Sequence, residues 1–160
     1  MALVLDASVL IVMDELRLLE NLMALDLEII TPKEVLGEVV SASVHELARA
    51  GSLRVQTPDL ELVPVDLRQP LGKGESAVLA ICLAHSDYWA ILDDKIARRA
   101  ARELGLNFTG TARLLRFMAE HEALGEVSLD GLFQRMIELN FRIDRGTARK
   151  VLAEAPPSFK

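Results

Sequence analysis

At 160 residues the chain can fold as one domain that buries roughly two-thirds of its unfolded surface, and with 51% apolar and 26% charged residues it lies outside the disordered class. A formal net charge of −6 excludes a protein that grips nucleic acid by bulk positive charge, but not a nuclease whose positive charge comes from bound metal.

Residues 2–6, rich in leucine and valine, predict a buried strand that ends in Asp6. Residues 10–25 carry apolar positions at helical spacing, with Asp14, Glu15, Arg17 and Glu20 between them, and predict one helix. Residues 28–30 predict a second strand. Thr31-Pro32-Lys33-Glu34 joins a capping-box pattern to proline at the first helical position, so a helix is expected from there to Ala50, ended by Gly51. Residues 53–57 predict a short strand, and Pro58, Pro64 and Pro70 punctuate the connection after it.

Gly72-Lys73-Gly74-Glu75 opens a helix over 76–85 that is apolar nearly all round and therefore expected to be buried. Residues 88–92 predict a strand, Asp93-Asp94 starts a helix that Gly105 closes, and residues 107–109 predict a last short strand. Helices are expected over 112–122, around Leu129, Leu132, Phe133, Met136 and Ile137, and over 145–152. Strands alternating with helices imply an α/β protein: three α/β/α layers around a central parallel sheet. Residues 1–155 read as one domain, with 156–160 as a tail.

The single cysteine, Cys82, closes no internal disulfide and suits a reducing compartment. No apolar run reaches the ~20 residues of a membrane helix. There is no basic N-terminal region, and Asp6 interrupts the first hydrophobic stretch, so no secretory signal is expected. The expectation is a cytoplasmic protein.

In parallel sheets the working site lies at the carboxyl ends of the strands. Asp6 and Asp93-Asp94 both fall there. Asp6 is flanked by apolar residues on both sides, where a charge is costly unless a cation or strong donors meet it. Its alternative role is a turn or cap satisfied by the amides of residues 8 or 9. Glu38 lies with Glu34, Ser41 and His45 on a polar helical stripe, which by itself reads as a solvated face. Glu75 opens a helix, where it either favours the helix dipole or points into a site. Asp94 is a natural helix cap, although two consecutive aspartates exceed what capping needs. Arg98 and Arg102 share a helical face and suit those acids, phosphate or water. Carboxylates converging at one edge cannot all ionise without compensation, and oxygen-only ligands favour Mg²⁺ or Mn²⁺. Without CxxC, HExxH or a second cysteine, zinc is not expected.

Together these motifs resemble a known family. Val4-Leu5-Asp6-Ala7-Ser8-Val9-Leu10 resembles the opening D-x-S/T motif of PIN domains, Thr31-Pro32-x-x-Val35-x-x-Glu38 the second acidic motif, and Gly74-Glu75-Ser76-Ala77 the third. Leu92-Asp93-Asp94-Lys95-x-Ala97-Arg98, with Leu104-Gly105-Leu106 and Gly110-Thr111, resembles the fourth region of a VapC-like, PIN-like subfamily of poorly defined function. The tail with Asn140-Phe141-Arg142-Ile143 is also similar to that subfamily. The resemblance implies an acidic quartet of Asp6, Glu38, Glu75 and Asp94, with Asp93 as neighbour or substitute and Ser8 orienting a ligand or water. It implies Mg²⁺ or Mn²⁺, hydrolysis of single-stranded RNA, homodimers and, as in VapBC-type toxin–antitoxin pairs, an antitoxin partner. Lys73, Arg98 and Arg113 are the candidate phosphate contacts. Glu75 departs from the aspartate many PIN domains carry, and its greater length alters metal geometry.

Two rival chemistries fit less well. A phosphatase with a nucleophilic aspartate needs an acid two residues after the first, where Ser8 stands, and a receiver domain wants a lysine after the last strand, where Gly110-Thr111 follows. The remaining alternative is a catalytically silent PIN-like binding module.

Overall fold

The computed structural model describes residues 1–141, 143–155 and 158–159. Arg142 of the tail motif and Pro156, Pro157 and Lys160 lie outside the described residues.

Five short strands, β1 (Ala2–Leu5), β2 (Glu28–Pro32), β3 (Arg54–Gln56), β4 (Trp89–Ile91) and β5 (Asn107–Thr109), pair in the order β3-β2-β1-β4-β5, every pair parallel. The helices are α1 (Ala7–Glu15), α2 (Leu19–Met23), α3 (Lys33–Glu38), α4 (Ala42–Ala50), α5 (Val65–Arg68), α6 (Lys73–Ala84), α7 (Lys95–Glu103), α8 (Thr111–Glu120), α9 (Leu129–Glu138) and α10 (Arg145–Ala153), with a 3₁₀ turn at Leu60–Leu62. They flank the sheet in a three-layer α/β/α arrangement. β1 is central and wholly buried, which is why it reads as an unbroken apolar run rather than an alternation. Leu3, Leu5, Ile30 and Ile91 anchor the core from the strands, with Leu92 just after β4, and each such side chain contributes about 1.5–3 kcal/mol by leaving water.

Strand order fixes where a site can form. From β1 the chain winds outward through β2 and β3, then returns to the other side of β1 for β4 and β5. The winding reverses between β1 and β4, and a crevice opens above that switch point at the strands' carboxyl ends. Asp6 follows β1 there, and Asp93 and Asp94 follow β4.

Three expectations need correction. The helix predicted over 10–25 begins at Ala7 and breaks into α1 and α2. Arg17 takes a left-handed conformation (φ 58), its N–H donating to Asp14 O (2.9 Å) and that of Leu18 to Met13 O (2.8 Å), a helix-ending motif that usually uses glycine. The capping box at Thr31 does not form. Strand β2 runs through Pro32, and the Thr31 hydroxyl donates instead to Leu5 O at 3.2 Å, tying β2 to β1 beside Asp6. The helix expected to reach Ala50 breaks after Glu38: Val39 is extended and Ser41 caps α4, accepting the Val44 N–H at 3.3 Å. Ser41 and His45 therefore leave the helix that carries Glu38, and His45 Nε2 donates to Val39 O at 2.7 Å.

Candidate active site

Asp6 stands where β1 turns into α1. It occupies the cap position of that helix, yet its side chain makes no capping bond. The Ser8 hydroxyl donates to Asp6 Oδ2 at 3.2 Å, and only 5% of the residue is exposed. Burial pushes its carboxyl up to about 6; the Ala7 amide and the Ser8 hydroxyl oppose this, while the charges of Glu75 and Glu38 add to it. Asp6 thus behaves as a buried acid facing two other carboxylates, not as a satisfied cap.

Glu38 ends α3 and Glu75 lies in the first turn of α6. The Gly74 N–H donates to Glu38 Oε1 at 3.1 Å, joining the two helices. A Cβ at Gly74 would sit 2.9 and 3.0 Å from the two Glu38 carboxylate oxygens and 3.1 Å from Val35 Cγ2, so this approach requires glycine. Glu75 Oε2 accepts the Gly72 N–H at 2.8 Å, a reach back to the helix cap that turns this carboxylate toward its own first turn.

The two aspartates after β4 are held differently. Asp93 Oδ1 accepts the Thr111 N–H at 2.8 Å and its Oδ2 the Thr111 hydroxyl at 2.6 Å, pinning the carboxylate to the start of α8. A Cβ at Gly110 would meet Asp93 Oδ1 at 2.9 Å. Asp94 caps α7, its Oδ1 accepting the N–H groups of Ile96 (2.8 Å) and Ala97 (3.0 Å). Sequence reasoning gave Gly74, Gly110 and Thr111 no contact to make, and it gave Thr31 a helix cap in place of its bond to Leu5. The Gly110-Thr111 pair was visible as a motif, whereas the Thr31 bond to Leu5 depends on strand register and has no local signal.

Among the cations, Arg98 lies over the Phe108 ring, its guanidinium carbon 5.8 Å from the centroid, with Arg102 at 5.6 Å beside it. Neither makes an ion pair with a described residue. Arg113 is paired with Glu154, and Lys73 is exposed at the start of α6. Among the described residues no three Asp, Glu, His or Cys side chains converge closely enough to hold a metal ion together as they stand. The donor chemistry nevertheless suits a hard divalent cation: the group around Asp6 offers only oxygen, and a cation there would offset both the burial and the neighbouring charges that raise the Asp6 carboxyl. Buried Cys82, its thiol pushed up to about 12 by burial, takes no part.

No helix among the described residues is long and apolar enough to cross a membrane. Compared with known proteins, residues 2–156 match a family model described as a PIN domain. No curated protein and no solved structure matches the chain.

Proposed function

The chain belongs to the PIN-domain family, and from that premise we propose that it is a cytoplasmic, Mg²⁺- or Mn²⁺-dependent endoribonuclease acting on single-stranded RNA. The observation that carries this reading is Asp6: a buried acid at the sheet's switch point, uncapped, in the field of Glu38 and Glu75. A fold keeps such a charge at a cost in stability, and a metal-binding role accounts for that cost.

Asp6, Glu38 and Glu75 would hold the metal, with Asp93 or Asp94 as the fourth acid of the edge. Bound there, a divalent ion would activate a water and offset charge at the phosphorus during in-line attack. The protein's own groups do the rest. The Ser8 hydroxyl orients Asp6, the Gly74 amide holds Glu38, and the Gly72 amide holds Glu75. Arg98, Lys73 and Arg113 contact the phosphates of the strand. Proposed with this activity are a homodimer and a place as the toxin of a VapBC-type pair with an antitoxin partner, both resting on family resemblance alone.

A second reading, a catalytically silent PIN-like binding module, is favoured by the two hydrogen bonds that pin Asp93 to Thr111 and the capping role of Asp94. The deciding experiment pairs a cleavage assay on unstructured RNA, with and without Mn²⁺, with calorimetry of Mn²⁺ binding. The nuclease reading expects Mn²⁺-dependent cleavage and measurable binding. Neither signal at millimolar metal would leave the silent module.

A further inference from the structure

We propose that a cleft of about 320 Å³ between the start of α8 and helix α10 is a phosphate subsite for single-stranded RNA, latched by Glu154. The proposal rests on the nuclease reading for its choice of ligand and adds a binding element that Asp6, Glu38 and Glu75 do not supply.

The position favours substrate. Asp93 and Gly110 line the cleft, so it opens at the carboxyl ends of β4 and β5, on the same edge as the acids. Its charge also favours phosphate. In a chain of net charge −6, this one cleft gathers Arg98, Arg113 and Lys150. Arg98 is already held against Phe108, which limits the side-chain freedom it loses on meeting a phosphate.

A carboxylate occupies two of those cations now. Glu154 pairs with Arg113 from α8, and its other carboxylate oxygen lies 3.7 Å from Lys150 Nζ. One anion therefore bridges two cations from two helices, as a phosphodiester oxygen pair would. Glu154 follows the last turn of α10, where the helix dipole disfavours negative charge, and two cations offset this: its i,i+4 neighbour Lys150 on the same helix and Arg113 across the cleft. Both partners are partly exposed, and pairs of that kind are weak enough for a strand to displace.

The latch makes a specific claim: RNA phosphate and the Glu154 carboxylate compete for Arg113. The test measures fluorescence anisotropy of an end-labelled, unstructured RNA oligonucleotide on full-length protein carrying Asp6→Asn, which keeps the RNA intact. Glu154→Gln is expected to tighten binding about two- to fivefold, the range set by a displaced surface ion pair. Arg113→Gln is expected to weaken binding and flatten the salt dependence of log K by about 0.7, the loss of one phosphate contact on a single strand. In the double variant the gain from Glu154→Gln should vanish, because its target is gone. A DNA strand of the same sequence should show the same pattern, since phosphate contacts carry no sugar information.

An undiminished Glu154→Gln gain beside Arg113→Gln would mean simple removal of negative charge, and it overturns the latch. No gain, no RNA binding by any variant, or a gain confined to RNA also overturns it. The outcomes separate from those of the nuclease reading. Protein with Asp6 intact that cleaves RNA without the competitive pattern keeps the enzyme and loses the latch. The pattern without cleavage keeps the subsite and loses the enzyme.

Discussion

At the end of β1, Asp6 is buried and uncapped, with a hydroxyl and one local amide set against the charges of Glu75 and Glu38. At the end of the neighbouring β4, the two aspartates collect four short bonds from Thr111, Ile96 and Ala97, three of them from backbone amides. The same residue type at adjacent strand ends thus does opposite things. After β4, aspartate stabilises: it starts one helix and ties down the next. After β1, aspartate costs stability, and the nearby glutamates increase that cost. On the proposed function the difference would put most of the metal-holding acids at β1 and most of the scaffolding at β4, and each substitution tests that division.

Asp6→Asn should have the largest effect. If β1 carries the chemistry, RNA cleavage falls by several orders of magnitude while metal-free stability rises. The sign follows from the raised carboxyl. The folded protein holds the Asp6 proton up to about pH 6, whereas the unfolded chain releases it near 3.8. Stability tied to this group is therefore fully present below about pH 4 and lost as pH rises through 6. The loss at neutral pH is up to about 3 kcal/mol, from roughly two pH units at 1.36 kcal/mol each. Urea melts of wild type and Asp6→Asn should diverge between pH 4 and 7, the variant keeping its stability. Mn²⁺ should raise the wild-type melting temperature and leave the variant's unchanged. A variant that cleaves RNA at the wild-type rate would reverse the comparison.

The glycines come next. Gly110→Ala forces a methyl against a carboxylate that Thr111 grips with two bonds, so about 1–3 kcal/mol of stability is expected to be lost. At Gly74 the nearest obstructing atoms belong to the end of the Glu38 side chain, which can swing away; Val35 Cγ2 at 3.1 Å has only to give by a few tenths of an ångström, and alanine suits the first turn of a helix. Gly74→Ala should therefore melt close to wild type yet bind Mn²⁺ more weakly, because Glu38 is displaced. Thermal melts and calorimetry on both variants read this crossed pattern directly. Equal losses of stability at the two sites would erase the distinction between the ends.

Asp94 gives a smaller effect. Asp94→Ala removes the α7 cap and should cost about 0.5–2 kcal/mol, whereas Asp94→Asn keeps it. If Asp94 only caps α7 and Asp93 is the fourth acid, cleavage survives Asp94→Asn at a rate within a few-fold of wild type. A collapse of activity in that stable variant would make Asp94, not Asp93, the fourth acid.

Much of this was readable along the chain, because the informative signals are local. The apolar run before Asp6 announces a central parallel strand, and Gly72 to Glu75 announces the start of a buried helix. The strand alternation announces the sheet. What could not be read depends on partners far away in sequence. Thr31 looks like a cap because Glu34 follows it three residues later, yet its hydroxyl serves Leu5, twenty-six residues away. Arg17 ends a helix without glycine, since tertiary packing of Leu18 and Leu19 outweighs the strain of φ 58. The contrast between Asp6 and Asp94 was legible in part, since apolar flanks mark Asp6 as a costly charge and Asp94 reads as a natural cap, but the glutamates that face Asp6 lie far away in sequence. The surroundings, glutamates at one end and backbone amides at the other, separate them fully.

The finest test compares the two glutamates of α3, one turn apart. Glu34 was expected to cap the helix and Glu38 to serve the site. The cap does not exist, since Thr31 bonds elsewhere and α3 begins at Lys33. Glu34 Oε2 is buried with no hydrogen-bond partner among the described residues, so this oxygen adds no hydrogen bond to the fold. Glu34→Gln should change stability by less than about 0.5 kcal/mol or raise it slightly, and Mn²⁺ affinity should hold. Glu38→Gln keeps an oxygen for the Gly74 amide but removes one charge facing Asp6. The Asp6 carboxyl should then titrate lower, metal-free stability should rise a little, and Mn²⁺ affinity should fall. Calorimetry with a pH series on the two variants separates the effects. Matched losses in Mn²⁺ affinity would place Glu34 beside Glu38 in the site, and the boundary drawn here around the β1 end would have to be widened by one helical turn.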